Sequence, residues 1–393
     1  MYSSKLVMTN NYFKFSIFVL FLYVGIENLN AQGCVAIRGY SSCSMGYMDN
    51  GINLKKGEFT VGSNFRYFES FRHFRGTEEE TNRIEDGTQV INDSYFSDIT
   101  FNYGISERLY ANLLIPFVSH VRSSMYEHGG NSLSDRHNTR SSGLSDIRLG
   151  AGYWLVKPNS KPFNLAMGVG IKLPTGDFRY TDTFYNQGDN KDLMIDTVVD
   201  QSIQPGDGGV GFNLDLQGYH TISHHFMLTT TLYYLLNPRE TNGVLTRNGS
   251  SEFSVPDQYA AQVGVLYFSN LKGLNVYLGG RLEGVPSSDI IGGSAGYRRP
   301  GYVISIDPGV NYSVNNLIMS LNVPVALERN RTRSYLDKQR TAETGVYRHG
   351  DAAFADYLVS FNLTYKFSKK QDALKHPDIP DYNIENAYSS NSL

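Results

Sequence analysis

Charged side chains recur inside runs that are otherwise apolar, aromatic or glycine-rich: Arg66, Asp98, Asp146, Arg148, Lys172, Asp215, Arg281, Glu283, Asp307 and Asp356. Both signs are present, and the chain neighbours of a charge, such as Phe65 and Tyr67 around Arg66, belong in a different environment. Such a set can neutralise itself as ion pairs in an enclosed space. Alternatively it can line a passage and select solutes by charge, as channel linings do. Asp146 with Lys172, and Arg281 with Asp307, are spaced to meet across neighbouring strands.

A second candidate set is His120, His128 and His137 with Ser119, Ser123 and Asp135, the residue types of a nucleophile activated by a base. Nothing in their spacing fixes one base beside one nucleophile, so exposed, unpaired loop roles are the simpler reading. His224 and His225 read as solvated turn residues, since a metal site would need further ligands. Asp177, Asp182, Asp189, Asp192, Asp196, Asp200 and Asp207 outnumber Arg179 and Lys191 in one segment. Hard cations take carboxylate oxygens, but no calcium-loop spacing is present, and the segment reads as a solvated loop. Gly206-Asp207-Gly208-Gly209 reads as a turn without a phosphate site. No catalytic residue, metal or cofactor is expected, and a formal net charge of −3 gives no reason to expect nucleic acid.

What would position these residues is a period-two pattern from Gly57 onward. Phe59, Val61, Phe65 and Tyr67 alternate with Thr60, Gly62, Asn64 and Arg66, and similar runs continue to 353–367. Short links near 104–107, 157–162, 223–225, 270–273 and 314–316 alternate with long polar links near 72–93, 122–143, 175–208, 238–256, 286–299 and 329–351. That alternation predicts an all-β fold: a transmembrane antiparallel up-and-down β-barrel of about twelve strands over 57–367, with short periplasmic turns and both termini periplasmic. Tyr and Phe at 59, 67, 95, 103, 259, 267, 302 and 312 are placed for girdles at the two membrane interfaces. A mean hydropathy of −0.33 is no objection, because barrel strands turn only every second residue to lipid. Pro174, Pro238 and Pro286 mark strand ends; Pro116 and Pro324, inside alternating runs, predict bulges. Pro308 has no place in this scheme. Eight strands leave an interior filled by side chains and sixteen leave a water channel, so about twelve favours the internal ion-pair network over a charged constriction.

The N-terminus carries an address. Lys5 and Lys14 precede an apolar run from Phe15 to Ile26, too short to span a bilayer as a helix. Small residues at Ala31-Gln32-Gly33 suit cleavage, so 1–31 reads as a signal peptide. Residues 32–56 form a periplasmic segment whose Cys34 and Cys43 would pair as a disulfide in an oxidising compartment; free thiols and a lipidated Cys34 are the rival readings. Residues 368–393 read as a polar periplasmic tail.

The run Gly143-Leu144-Ser145-Asp146-Ile147-Arg148-Leu149-Gly150, followed by Ile171-Lys172-Leu173-Pro174-Thr175-Gly176-Asp177, resembles the outer-membrane family associated with the MetA pathway of phenol degradation. The Gln32 start and Tyr/Asn-rich strands are similar to outer-membrane barrels of the Bacteroidetes. The last strand, Tyr357 to Phe367, resembles the aromatic terminal signal read by the barrel-assembly machinery. These resemblances imply partners in outer-membrane lipid and that machinery, and a transporter or channel for small, often apolar or aromatic, solutes. A non-conducting structural or surface-interaction barrel with large loops is the alternative, and a surface hydrolase a remote third. Conductance separates the first two; a Ser/His/Asp cluster at the outer rim would mark the third.

Overall fold

The computed structural model describes residues 54–129, 132–158 and 160–367. The signal peptide, the Cys34–Cys43 pair and the tail of the sequence analysis lie outside the described residues. Where the period is two, the chain is extended. Among the described residues, twelve membrane-length strands close into one antiparallel barrel. They are β1 (Phe59–Ser70), β2 (Ile91–Gly104), β3 (Leu109–Ser124), β4 (His137–Leu144 and Arg148–Trp154), β5 (Phe163–Lys172) and β6 (Gly211–Thr221). The second half comprises β7 (Phe226–Leu236), β8 (Gln258–Phe268), β9 (Leu274–Val285), β10 (Gly301–Val314), β11 (Leu317–Asn322 and Val325–Asn330) and β12 (Val359–Phe367). Each strand pairs with its sequence neighbours, and β12 returns to β1 in an unbroken register from Phe59↔Phe367 to Tyr67↔Val359.

The alternation decides which face is which. Phe65, Met167, Val169, Phe212, Leu214, Val263 and Leu278 are exposed on the outer wall, while Thr60, Asn64, Asp98, Arg281 and Asp307 on the opposite phase are buried. An apolar belt of this extent would be an aggregation hazard in water; in a bilayer it is the lipid face. Aromatic rings gather at its margins, with Phe59 stacked on Phe367 at 4.4 Å and Tyr67 against Tyr95 at 4.8 Å. The barrel is sealed along the β1–β12 seam by side chains as well as backbone. Lys366 Nζ lies 2.9 Å from Glu58, Ser360 Oγ donates to Asn64 at 3.0 Å, and Arg72 reaches Asp356 at 2.5 Å.

Two strands are broken, and proline explains both breaks. On β3, Leu114 faces Arg148 but Phe117 faces Leu144, so three residues of β4 oppose two of β3. Pro116 stands in that gap, its carbonyl accepting the Ser145 N–H at 2.7 Å. A proline has no N–H to return, so the partner strand cannot stay in the ladder there. The bulge expected at Pro116 is therefore carried by β4, while the pairing of Pro116 with Asp98 on β2 is regular. The second break, at Val323-Pro324 in β11, faces Pro308, whose carbonyl accepts the Val323 N–H at 3.0 Å. Pro308, unplaced in the sequence, is thus the counterpart of Pro116. The register shift near Pro324 falls at Leu327. Pro174, Pro238 and Pro286 follow the ends of β5, β7 and β9 as expected.

Candidate functional site

The lumen is stratified along the barrel axis, because each strand delivers inward side chains in a fixed order. At the short-turn end the inward phase is aromatic. Tyr110, Trp154, Met227, Leu266, Phe268 and Tyr277 form one buried cluster, with Tyr219 packed on it. The rings fit because glycines face them. A Cβ at Gly264 or Gly279 would lie 2.3 or 2.2 Å from the Tyr277 hydroxyl, so neither position has room for a side chain beneath that ring. This plug was not among the residues expected from the charges; its signal in the sequence is the inward phase of Tyr110, Trp154, Tyr219 and Tyr277.

Above the plug lie the charges named from the sequence. Arg66 and Asp98 pair at 2.9 Å with both side chains fully buried, and the Arg66 guanidinium sits 4.8 Å from the Phe96 ring centre. Arg148 donates to the Tyr233 hydroxyl, and Asp215 accepts from Asn213. Lys172 is 4.0 Å from Asp146, the expected cross-strand partner, but its shortest contact is with Asp207 of the long β5–β6 connection. Asp146 sits in the β4 break, where its carboxylate accepts the Gly176 and Asp207 N–H groups at 3.0 and 3.2 Å. The Arg281–Asp307 expectation needs correcting in register. Gly279 faces Asp307 and Arg281 faces Ser305, so the two charges are diagonal. Arg281 donates to Glu283, two residues along its own strand, at 2.6 Å; Asp307 accepts from Gln262 at 2.6 Å and Asn322 at 3.1 Å. Asp356 precedes β12 and joins a cluster at the long-loop end, held by Arg72 and Arg329.

Between this layer and the loops lies a chamber of about 140 Å³. Phe68 and Phe96 stack at 5.7 Å on one wall, and His120 meets Phe96 edge-on at 5.4 Å. Asn92 and Ser94 lie on the same strand as Phe96, and Gln204 and Arg299 complete a lining with further amides and hydroxyls. The chamber's arginines are already engaged, Arg298 forked onto Asp289 at 2.6 and 2.5 Å and Arg299 onto Asp200 at 2.8 Å through both nitrogens. The lining is therefore electrically balanced, with aromatic faces and hydrogen-bonding groups interleaved. A larger hollow of about 350 Å³ lies among Phe65, Tyr67, Tyr95 and Phe117. Those are outward-phase residues, so lipid fills it, and it is not the lumenal site.

The histidines fall elsewhere than expected. His120 is not a loop residue: it faces the lumen from β3, 2% exposed, with Nδ1 3.0 Å from Ser94 Oγ. His128 is wholly buried in the β3–β4 connection among His137, Phe184 and Tyr185. Burial there pushes its pKa down to about 4. His73 at the long-loop end pairs with Asp351 at 2.6 Å, but its Nε2 accepts the Val90 N–H at 2.9 Å. The atom a general base would use is thereby occupied. His224 and His225 stay in the exposed turn assigned to them. Among the described residues no group of three His, Cys, Asp or Glu is placed to hold a metal ion.

The acidic connection also differs from a solvated loop. Its hairpin, Thr181–Gln187 with Leu193–Val198, is largely exposed. Residues 199–209 instead turn into the barrel mouth, with Val199 and Ile203 fully buried and Gln204 1% exposed.

Known proteins were compared with this arrangement. The profile of the family described as "Putative MetA-pathway of phenol degradation" matches residues 78–340. Among solved structures, an outer membrane channel from Pseudomonas putida F1 is similar over 81% of this chain and 99% of that one, with a TM-score of 0.56 at 12% identity. The β domain of the Bordetella autotransporter BrkA gives 0.43 at 12% identity over 79% and 100%. The P. putida toluene transporter TodX gives 0.41 at 11% identity over 81% and 92%. Among curated proteins none matches this chain in sequence. At these identities the first likeness shows the fold, an outer-membrane β-barrel. The profile covers most of the chain, which belongs to the phenol-degradation MetA family.

Proposed function

We propose that this member of the phenol-degradation MetA family is an outer-membrane channel for small solutes of single-ring aromatic size. The observation that carries the reading is the lumenal chamber. Its volume of about 140 Å³ is close to the roughly 150 Å³ of an apolar cavity that holds one benzene ring. Stacked Phe68 and Phe96 offer a ring-binding surface, and the amides and hydroxyls around it offer donors and acceptors to one polar substituent. Charged solutes are disfavoured, because the nearby arginines are already neutralised. The name of the P. putida channel supports conduction, and the name of the family supports an aromatic cargo. We read the chain as a conduit without catalysis of its own.

The long loops are placed outside and the short turns in the periplasm, with both termini periplasmic. Solute would reach the chamber from the loop end and leave past the aromatic plug. One observation favours a second way out, through the wall: Phe96 borders both the chamber and the lipid-facing hollow. The outward aromatic row of β12 suits recognition by the barrel-assembly machinery.

Purified protein in planar bilayers and proteoliposomes tests the proposal. Conductance, and uptake of a neutral single-ring aromatic at a rate that falls in Phe96→Ala, are expected. Absence of both current and uptake in a folded barrel would leave the non-conducting, surface-interaction reading.

A further inference from the structure

We propose that residues 199–209 are the constriction element of the barrel, a strap across the chamber latched by Asp200 and Asp207, which sets the size and charge of what passes. This deepens the channel reading above and rests on it. A segment of a long loop belongs in water, where its backbone is solvated. This one is buried at Val199, Ile203 and Gln204, and it contributes Gln201, Ser202, Gln204, Gly206 and Asp207 to the chamber lining. It is therefore part of the passage rather than a cover outside it.

Its attachments come from opposite sides of the mouth. From β3 and β4, Arg122 reaches Asp200 at 3.8 Å and Ser202 at 3.4 Å, Ser141 donates to the Ile203 carbonyl, and Ser145 donates to the Pro205 carbonyl at 2.5 Å. From the later loops, Arg299 forks onto Asp200, Gln201 donates to the Ser254 carbonyl at 2.9 Å, and Asn242 donates to the Asp207 carbonyl at 3.1 Å. Lys172 closes the second latch on Asp207. The far end docks into the β4 break, since the Asp207 N–H is held by Asp146 and Ser145 holds Pro205. The interrupted strand thus supplies the free wall groups that receive the strap.

Beside the buried Val199 and Ile203, the attachments are hydrogen bonds and ion pairs to single side chains. The two carboxylates carry the strongest of these contacts, since charge-assisted hydrogen bonds exceed neutral ones. Asp200 bridges two arginines, and its removal takes the fork from Arg299 while Arg122 keeps Glu127 at 2.8 Å. One further position is sterically tight. A Cβ on Gly206 would meet the Gly176 carbonyl oxygen at 2.3 Å and its Cα at 2.8 Å, both backbone atoms that cannot swing aside.

Two independent variants test this, each first shown to form the heat-modifiable barrel on electrophoresis. Asp200→Asn with Asp207→Asn removes both latches. Gly206→Val leaves every charge in place and wedges the strap off Gly176. Both are expected to raise single-channel conductance several-fold and to admit larger neutral sugars in proteoliposome swelling. Only the first should also move the reversal potential in a salt gradient towards anion selectivity, because Arg299 loses its carboxylate and Arg122 and Lys172 each lose one of two, keeping Glu127 and Asp146. Wild-type conductance, sugar cut-off and selectivity in both folded variants would overturn the constriction reading and leave the channel reading standing. No current in wild type or in either folded variant would overturn the channel reading, and this proposal with it.

Discussion

The buried pair Arg66–Asp98 offers the sharpest test of how the lumen is held together. Both side chains are fully buried and the charges are 2.9 Å apart. At an effective dielectric constant of about 20 their attraction is roughly 6 kcal/mol, most of which offsets the cost of taking both out of water. Replacing Asp98 with Asn leaves a buried guanidinium without its counter-charge, a change that destabilises proteins by roughly 3–5 kcal/mol. Replacing both partners, as Arg66→Met with Asp98→Leu, removes the desolvation cost together with the attraction and is expected to be neutral or stabilising. The assay is urea unfolding of the barrel in lipid vesicles, followed by the fluorescence of Trp154. That residue is the one tryptophan of the sequence, and it is 2% exposed inside the barrel. A single variant within about 1 kcal/mol of wild type, or a double variant as unstable as the single, would refute the view that these charges are mutually compensating lumen filler.

Other expectations follow from the same geometry. Tyr277→Ala uncovers two glycines and opens the aromatic plug, which should cost about 3–5 kcal/mol in the unfolding assay and increase ion leak at the short-turn end. His128 is held neutral by burial, with its pKa lowered from 6.5 to about 4. The undocked loop therefore takes up protons first as pH falls below 6.5, so docking of the β3–β4 connection should weaken steadily from about pH 6.5 towards pH 4. Limited proteolysis of vesicle-bound protein should show faster loop cleavage across that window, and His128→Phe should abolish the pH dependence. Asp200 behaves oppositely. Burial alone would raise its carboxyl, but Arg122 and Arg299 outweigh burial and hold it well below the usual carboxylate range. Its latch is fully formed above the ordinary carboxylate pKa and is lost only in strong acid, so the shift in reversal potential caused by Asp200→Asn should be the same at about pH 5 and pH 8.

The barrel was readable because its two rules are local. Side-chain alternation needs only neighbouring residues, and the lengths of links need only counting, so strands such as 226–236 and 258–268 appear almost at their observed bounds. Which residues face inward was equally local, and the named lumen charges are buried or nearly so. Their partners were harder, because pairing depends on register and on loops that fold back. Arg281 lies diagonal to Asp307, two residues off in register, and takes Glu283 on its own strand. Lys172 finds Asp207, 35 residues away, through a connection whose polarity had suggested solvent. Polar composition says that a segment needs hydrogen bonds; it does not say whether water or a barrel wall provides them. His120, just before the expected loop and read as exposed, is instead turned inward by a strand that continues to Ser124.

The β1–β12 seam has a consequence for the order of assembly. Its partners are separated by nearly the full length of the barrel: Ser360 and Asn64 are 296 residues apart, and Arg72 and Asp356 are 284 apart. Contacts of such separation form slowly, because the intervening chain must be ordered before they return anything. The first strand therefore waits with an open edge until the last one is delivered, and only then do Glu58 and Lys366 meet. Slippage by one residue would turn Phe361 and Phe367 inward and strand the Lys366 charge in lipid. Closure is thus conditional on the last strand: if it is absent or misregistered, the edge of β1 stays unpaired.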